Sequence, residues 1–377
     1  MKHLFIAFCF FFLTCGDITA CTSAIIGAEL NPYGRPLLWK NRDTDNTDNK
    51  IEYIPSSDEG FAYVALFNSA DSLLDEAWIG MNEYGFAVMN TASYNIKDDD
   101  VAPADMDKEG LVMTAALRKC KTVNDFQELI ESLPKPLGVE ANFGVIDAFG
   151  NGAFFETNNF TYNRVNLSDN PSHLLVRTNY SHTGRPDEGY GFVREANACH
   201  LLEPFIQAKA VAPEVLTEVL SRSFYHDLLG KDFSTLNDRW VIDQDFIPRY
   251  KSTATIVIEG IQPLQEGEVI NPEDIIGQYI MWSGLGYPPC SEIKPVWCSQ
   301  EGVPTELRGV AENGHSPLAD IVKERRAEVF PISKGNGDKY IDMSRLINEF
   351  GTGYIQKLVP QNLKTYEETR KIRDQKP

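Results

Sequence analysis

The order of the predicted elements indicates an α+β fold, in which packed sheets are covered by layers of helices. Strands, helices, strands and helices follow one another as groups, whereas strictly alternating elements would favour a parallel sheet. Turn residues lie between neighbouring strands, as antiparallel hairpins require. The chain of 377 residues, 42% of them apolar and 11% aromatic, has the composition of an ordinary globular protein.

The first twenty residues are interpreted as a targeting segment and are set apart from the fold. Lys2 and His3 give a basic start. The apolar run at residues 4–13, roughly ten residues long, suits a signal-peptide core and is too short to span a bilayer. Ala20 is a small residue at the expected cleavage position. We therefore expect an exported protein, periplasmic or secreted, without a membrane span in its mature chain.

The first half of the mature chain is predicted to be mainly strands. Residues 21–29 form a strand, the turn residues 31–34 follow, and residues 36–40 form the returning strand. Two helices are predicted at 110–117 and 123–133. The remaining strands of this half are predicted at residues 61–67, 77–81, 85–89, 142–146, 152–156 and 174–178.

The second half is predicted to be richer in helices. Helices are expected at 187–202 and 213–224, and strands at 253–259 and 280–283. The helix-rich segments 316–329 and 343–371 are punctuated by Pro331 and Pro360. We interpret residues 21–377 as one large domain, in which about 305–377 is a helical extension that packs on the body.

Charge and cysteine content narrow the functional classes. A formal net charge of -19 argues against nucleic acid as a partner, because phosphate binding needs clustered Lys and Arg. Five cysteines remain after residue 20, an odd number, so at least one thiol is free. Cys290 and Cys298 bracket a short loop and could form a disulfide. No metal-ligand spacing is present, so neither a metal site nor a cofactor is expected.

Cys21 has two exclusive interpretations. Residues 18–21, Ile-Thr-Ala-Cys, fit a bacterial lipobox, which would attach lipid to Cys21. Alternatively, cleavage after Ala20 makes Cys21 the first residue of the mature chain. Its free α-amine, with a pKa near 7.7–8.0, could then accept the thiol proton and act as the base. No histidine of the chain lies in a recognisable Cys-His protease context.

Several blocks of the sequence favour the second interpretation. CTSAIIG at residues 21–27 is followed after twelve residues by KNRD, Lys40 to Asp43. Together they resemble the start of the cysteine N-terminal-nucleophile hydrolases, a superfamily that includes choloylglycine hydrolases, penicillin V acylase, acid ceramidase and isopenicillin N acyltransferase-like proteins. Lys40 stands where an arginine is usual. The resemblance implies that Asp43 orients the amine and that Lys40 stabilises the thiolate.

Later blocks of the sequence extend the resemblance to about residue 300. Asn90 ends GMNEYGFAVMN, and Asn179 lies in VRTNYS; the resemblance implies that their amides support the oxyanion. Arg249, in DFIPRYKSTATIVIEG, is the best candidate for an arginine near the nucleophile, ahead of Arg239 and Arg194. The implied fold is a four-layer αββα sandwich.

The expected activity is cleavage of a linear C–N amide bond of a small-molecule N-acyl substrate through a thioester on Cys21, with hydrolysis or acyl transfer as outcomes. An N-terminal-cysteine dipeptidase and an inactive lipoprotein or binding module remain as alternatives. A homo-oligomer is left open. Conjugated bile salts, fatty-acyl amides, acyl amino acids and β-lactam side chains all remain open as substrates. The candidates for an apolar acyl pocket are Tyr33, Trp39, Phe61, Tyr63, Trp78 and Tyr94.

Overall fold

The computed structural model of the protein describes residues 20–97, 101–235, 238–335 and 337–375. Apart from Ala20, the targeting segment predicted at residues 1–20 lies outside this part. Its strands are β1 (Thr22–Ile26), β2 (Leu37–Asp43), β3 (Asn49–Ile54), β4 (Tyr63–Asn68), β5 (Ile79–Asn82), β6 (Ala87–Ala92), β7 (Ala141–Ile146), β8 (Gly152–Thr157), β9 (Tyr162–Asn166), β10 (Leu174–Arg177), β11 (Tyr225–His226), β12 (Lys231–Asp232), β13 (Trp240–Ile242), β14 (Ser252–Glu259), β15 (Ile280–Leu285), β16 (Lys294–Val296) and β17 (Tyr340–Asp342). Its α-helices are α1 (Glu109–Lys119), α2 (Val123–Ser132), α3 (Phe192–Gln207), α4 (Pro272–Ile275), α5 (Pro317–Val329), α6 (Met343–Leu346) and α7 (Tyr354–Arg373).

Two antiparallel sheets contain most of the strands. The first sheet has the order β10-β1-β2-β14-β15-β16, and the second has the order β3-β4-β5-β6-β7-β8-β9. The second sheet follows the chain strand by strand. In the first sheet, β2 pairs with β1 on one side, with Thr22 opposite Asn41, and with β14 on the other, with Ser252 opposite Asp43. This pairing places residues 209 positions apart in the chain side by side.

Alternation along the strands sorts the apolar side chains into three cores, since successive residues face opposite sides of a sheet. Ile25 and Leu38 pack with Val64 between the two sheets. The other face of the first sheet, which includes Trp39, packs against α3 and α7. The outer face of the second sheet lies under α1 and α2. The order is helices, sheet, sheet, helices, which confirms the predicted four-layer αββα sandwich.

Some element predictions were wrong at their bounds. The helix expected at 187–202 begins only at Phe192, because Asp187, Gly189 and Gly191 have φ angles of 59°, 92° and 94°. The segment predicted as one helix at 213–224 contains a π-helical turn at Val215–Val219 and a 3₁₀ turn at Leu220–Arg222. The segment predicted to be helix-rich at 343–371 contains the two helices α6 and α7.

Two strands of the second sheet were not predicted at all. β3 and β9 each carry charged or amide side chains at three positions, so they lack the clear apolar alternation that marks a half-buried strand. They form the two edges of the second sheet, where polar strands are common. Tertiary pairing with β4 and β8 therefore decides their conformation.

The suggested disulfide between Cys290 and Cys298 is wrong, since both thiols are free and buried. Cys298 Sγ instead lies 3.7 Å from the carbonyl oxygen of Ala62 and 3.8 Å from that of Met81, and it donates a weak hydrogen bond to each of them.

Within the described ranges, no helix combines the length and the hydropathy needed to cross a membrane.

Candidate active site

Cys21 lies directly before β1, an inner strand of the first sheet that pairs with β10 and β2. Its side chain is 7% exposed, and Sγ is 3.8 Å from the backbone oxygen of Asp43. Because β1 and β2 run antiparallel, the start of β1 is next to the end of β2. The hairpin predicted from the sequence thus brings Cys21 and Asp43 together. Ala20 is still joined to Cys21 in this structure and is buried.

The Asp43 carboxylate is fully enclosed by donors. Its Oδ2 accepts from Arg249 Nε at 3.1 Å and from Nη2 at 2.8 Å. Its Oδ1 accepts from Ser252 Oγ at 2.6 Å and from Asn41 Nδ2 at 3.1 Å. Although burial lowers the pKa of Arg249, the Asp43 carboxylate raises that pKa above its usual value. Asp43 and Arg249 therefore form one ion pair, buried at the Asp43 end.

Two of the three candidate arginines reach Cys21 and its neighbours. Arg249 Nη2 also donates to the carbonyl oxygen of Ala20 at 3.3 Å. Arg194, from α3, donates through Nη1 to the carbonyl oxygen of Cys21 at 2.6 Å and to Thr22 Oγ1 at 3.0 Å. Arg239 instead pairs with Asp342 at the surface. The sequence favoured Arg249, and the structure places Arg194 at the nucleophile as well.

Lys40 fixes the orientation of Asn90. Its Nζ donates to Asn90 Oδ1 at 2.7 Å and to the carbonyl oxygen of Trp78 at 2.8 Å. Burial lowers the pKa of Lys40 to about 8, while negative charge on Cys21 acts in the opposite direction. With Oδ1 held by Lys40, Nδ2 of Asn90 is the donor that remains. It donates to no residue of the described part, and Asn90 lines the cavity beside Cys21.

Asn179 has a different environment from Asn90. Its Oδ1 accepts from Arg194 Nη2 at 2.8 Å, and its Nδ2 donates to the carbonyl oxygen of Ala92 at 3.0 Å. The side chain is fully buried. One proton of Nδ2 remains for a second acceptor. The two asparagines predicted to share one role thus differ in their bonding partners, because Asn179 is bonded to the scaffold through both side-chain heteroatoms.

A cavity of about 150 Å³ lies beside Cys21. It contains four of the predicted residues, Cys21, Lys40, Asp43 and Asn90, and its other lining residues are Arg42, Thr44, Asn68, Trp78, Ala92, Asp107 and Glu109. Larger cavities of about 430 and 360 Å³ lie elsewhere and contain none of the predicted residues. We assign the site to the smaller cavity because it holds both the thiol and the oriented amide.

Sequence reasoning missed Glu109, the first residue of α1. Its side chain is almost fully buried, and burial raises its pKa to about 7. The only local signal is an acidic residue in the first turn of a helix, which is common for its favourable interaction with the helix dipole. Arg42 was also missed, although it belongs to the KNRD block. Its guanidinium lies over the Trp78 ring, 5.0 Å from the ring centroid.

The aromatic acyl pocket considered from the sequence is not assembled around Cys21. Trp78 lines the cavity, whereas Trp39 and Tyr63 are buried in the cores beneath the helical layers. Phe61 packs on Tyr84. The remaining two also have partners away from the cavity lining, Tyr33 beneath Arg370 and Tyr94 against Tyr190.

One group of described residues has the composition of a metal site. Asp48, His315 and Asp320 can bring one ligand atom each within 4.8 Å of one another. However, His315 Nδ1 is already 3.0 Å from Asp320, and Lys323 Nζ is 2.7 Å from Asp48. The group is therefore interpreted as a small ion-pair network at the surface, away from the cavity of Cys21.

Comparison with known proteins gives matches among solved structures. An N-acylethanolamine-hydrolyzing acid amidase ortholog from Caenorhabditis elegans is 15% identical, with 66% of this chain and 94% of that chain covered and a TM-score of 0.43. A variant of conjugated bile acid hydrolase from Clostridium perfringens is 12% identical, with coverages of 74% and 92% and a TM-score of 0.42. Penicillin V acylase from Agrobacterium tumefaciens is 14% identical, with coverages of 74% and 88% and a TM-score of 0.40.

No protein-family model matches the chain, and no curated protein sequence matches it. At such low identities, a statement about chemistry depends on the residues around Cys21.

Proposed function

We propose that the protein is an N-terminal-cysteine amidohydrolase that cleaves a linear C–N amide bond. The observation that carries the proposal is the placement of Cys21 at a charged cavity where Lys40 orients the amide of Asn90. A thiol and an oriented N–H donor beside one cavity are the parts that acyl transfer to a cysteine requires.

The reaction begins after removal of residues 1–20, which frees the α-amine of Cys21. The amine accepts the thiol proton, and the thiolate attacks the carbonyl carbon of the amide. Asn90 Nδ2, with Asn179, donates to the oxyanion of the tetrahedral intermediate. The C–N bond then breaks, the α-ammonium returns the proton to the leaving amine, and a thioester remains on Cys21. Water resolves the thioester, or an acceptor amine does so in acyl transfer.

The surrounding charges position these groups. Arg194 holds the carbonyl of Cys21 and the side chain of Asn179 together, so nucleophile and donor keep a constant separation. The Asp43–Arg249 pair lies at the Ala20 side of Cys21, where the new amine would form. Its role in orienting the amine stays a prediction. Lys40 places positive charge within electrostatic reach of Cys21, where the thiolate forms.

Export and processing belong to the same proposal. Removal of a signal peptide after Ala20 would create the nucleophile and its base in one step, with no further self-cleavage. The mature protein would then be periplasmic or secreted. Lipid attachment to Cys21 would block both the sulfur and the amine, so a lipoprotein of this fold would be inactive.

The test is turnover and covalent trapping on the mature protein, residues 21–377. Intact mass should show Cys21 as residue one, and acid quenching during turnover of an N-acyl amide panel should show an acyl adduct on Cys21. Cys21→Ala should lower kcat/KM by about 10³-fold or more, because it removes both the nucleophile and the adduct site. Cys199→Ala, at an exposed thiol of α3, is the matched control and should keep full activity.

Three outcomes would contradict the proposal. Undiminished turnover by Cys21→Ala would exclude Cys21 as nucleophile. A mature N-terminus at another residue would remove the base. A lipid mass increment on Cys21 would support the lipoprotein alternative. Dipeptides and N-acyl amino acids belong in the same panel, since they separate a dipeptidase from an N-acyl amidase.

A further inference from the structure

Glu109 is a buried carboxyl group in the wall of the Cys21 cavity. Its Oε1 accepts the backbone N–H of Glu140 at 3.1 Å. No side chain in the described part of the protein donates a hydrogen bond to it. The carboxylate therefore lacks a directly bonded counter-ion, although it is nine-tenths buried. Such a group is costly to ionise unless a cation comes into contact with it.

The cations of the cavity wall already have partners. Lys40 donates to Asn90 and to the carbonyl of Trp78. Arg42 donates to the side-chain oxygens of Asn49 and Asn68. Because these bonds hold both cations, the protein leaves the negative charge of Glu109 incompletely neutralised.

The other carboxylates of the wall differ from Glu109. Asp43 is neutralised by Arg249. Asp107, two residues before Glu109, is exposed and also lines the cavity. Glu109 and Asp107 thus place two carboxylates without a bonded cation on the same wall, one deep and one open to water.

The size of the cavity limits what can enter. Its volume of about 150 Å³ is below the range of roughly 300–1,000 Å³ that is usual for pockets that enclose drug-sized ligands. Five of its eleven lining residues are charged, and Trp78 is its one aromatic residue. A small polar acyl group fits these walls, whereas a steroid or a long alkyl chain does not.

We infer that the substrate is a small aminoacyl amide, whose primary ammonium group is bound by Glu109, with Asp107 at the open side. This inference rests on the proposed function, because it places the acyl carbonyl at Cys21. The ammonium group supplies the cation that the buried carboxylate lacks. Since burial raises the pKa of Glu109 to about 7, a bound ammonium group would also keep the carboxyl group ionised.

The experiment compares two isosteric substrates on the mature protein. L-alanine 4-nitroanilide carries an ammonium group where isobutyric acid 4-nitroanilide carries a methyl group. Hydrogen bonds to charged groups are typically worth about tenfold to 100-fold in affinity. We therefore expect kcat/KM to favour the alanine anilide by about that factor, and acid-quenched samples to show an alanyl adduct on Cys21.

Three variants test whether Glu109 causes the preference for the alanine anilide. Glu109→Gln keeps an acceptor for the N–H of Glu140 and should lower kcat/KM for the alanine anilide by about tenfold more than for the isobutyric anilide, because only the alanine anilide brings an ammonium group. Asp107→Asn should have a smaller effect of about twofold to fivefold, because it is exposed. Asp105→Asn is the matched control, because Asp105 is an exposed residue outside the cavity lining. This variant should leave kcat/KM unchanged for both anilides.

The outcomes separate the two proposals. Equal use of both anilides, or an equal loss on both in Glu109→Gln, would overturn the ammonium site and leave the amidohydrolase intact. The absence of turnover and of a Cys21 adduct with both anilides and with the wider amide panel would overturn the proposed function itself. Preference for the alanine anilide that Glu109→Gln abolishes supports both. Thermal unfolding of each variant checks that its fold is retained.

Discussion

At the residue scale, the polar side chains around Cys21 differ in whether all of their polar atoms already have hydrogen-bond partners. Asp43 has donors on both of its oxygens, and Arg194 donates to three acceptors. Such groups hold the site in one geometry, because breaking a buried, charged hydrogen bond costs more than breaking an exposed one. Asn90 and Glu109 keep polar atoms that face the cavity. These incompletely bonded groups are the ones available to a substrate.

Glu109 should make folding stability depend on pH. Its pKa rises from an ordinary 4.5 to about 7, so the folded chain binds more protons than the unfolded chain between these values. The free energy of unfolding should therefore fall as pH rises from about 4.5 to 7, by on the order of 2–4 kcal/mol. Glu109→Gln removes this contribution, so its unfolding free energy should fall less over that range. Urea unfolding at pH 4.5, 6 and 7 measures the difference.

Neighbouring charges define the pH range in which wild type and Glu109→Gln are compared. Lys40, Asp107 and Glu140 all interact with Glu109. The pKa of Lys40, about 8, is raised in part by Glu109, so the variant would also change the ionisation of Lys40 at alkaline pH. Parallel curves for wild type and variant between pH 4.5 and 7 would contradict a buried, proton-binding Glu109.

At the scale of elements, the C-terminal helix α7 is fastened to the first sheet by more than apolar contact. Tyr366 packs on Trp282 of β15, with ring centroids 4.2 Å apart. Arg373 Nη1 is 2.9 Å from Glu259 Oε1 at the end of β14, and both side chains are buried. Trp282 Nε1 donates to the other oxygen of Glu259. Helix α7 thus completes the helical layer over the first sheet.

Loss of the buried arginine should release α7 from β14. Arg373→Met leaves the Glu259 carboxylate buried without its bonded cation, so we expect a loss of about 3–5 kcal/mol in the free energy of unfolding. Adding Glu259→Gln should recover part of that loss. Lys364→Met, at an exposed ion pair on the same helix, should change stability by less than about 0.5 kcal/mol. Equal effects of Arg373→Met and Lys364→Met in urea unfolding would disprove the anchoring role.

At the scale of the whole molecule, stability comes from three stacked cores. One core lies between the sheets, and one lies under each helical layer. Cys120, Cys290 and Cys298 are part of these cores as free thiols. Burial raises the pKa of Cys120 and of Cys298 to about 12 each, so these two thiols are neutral and unreactive at neutral pH.

The number of alkyl labels that the mature protein takes up should show which of its five thiols are free and which are accessible. Unfolded but unreduced protein should take up five labels, one on each of Cys21, Cys120, Cys199, Cys290 and Cys298, since all are free. In the native protein, the three core thiols should be protected because reagent cannot reach them. Intact mass gives the number of labels. Three labels in the unfolded, unreduced protein would indicate a Cys290–Cys298 disulfide, contrary to the structure.

The sequence by itself determined the α+β class and the leading hairpin, because turn residues and strand alternation are local properties that can be read along the chain. The pairing of Cys21 with Asp43 was implied by the resemblance of the CTSAIIG and KNRD blocks to a known superfamily. Polar edge strands such as β3 and β9 were not predicted, because their extended conformation depends on pairing with a neighbouring strand.

Only the tertiary structure decided which distant side chains share the site. Arg194 arrives on α3 and Glu109 on α1, from opposite helical layers, and neither lies in a pattern that marks it as different from an ordinary helix residue. Burial then changes what they can do: it lowers the pKa of Arg194 to about 10 and raises that of Glu109 to about 7. Such shifts depend on removal from water and on neighbouring charge, which exist only once the layers have packed.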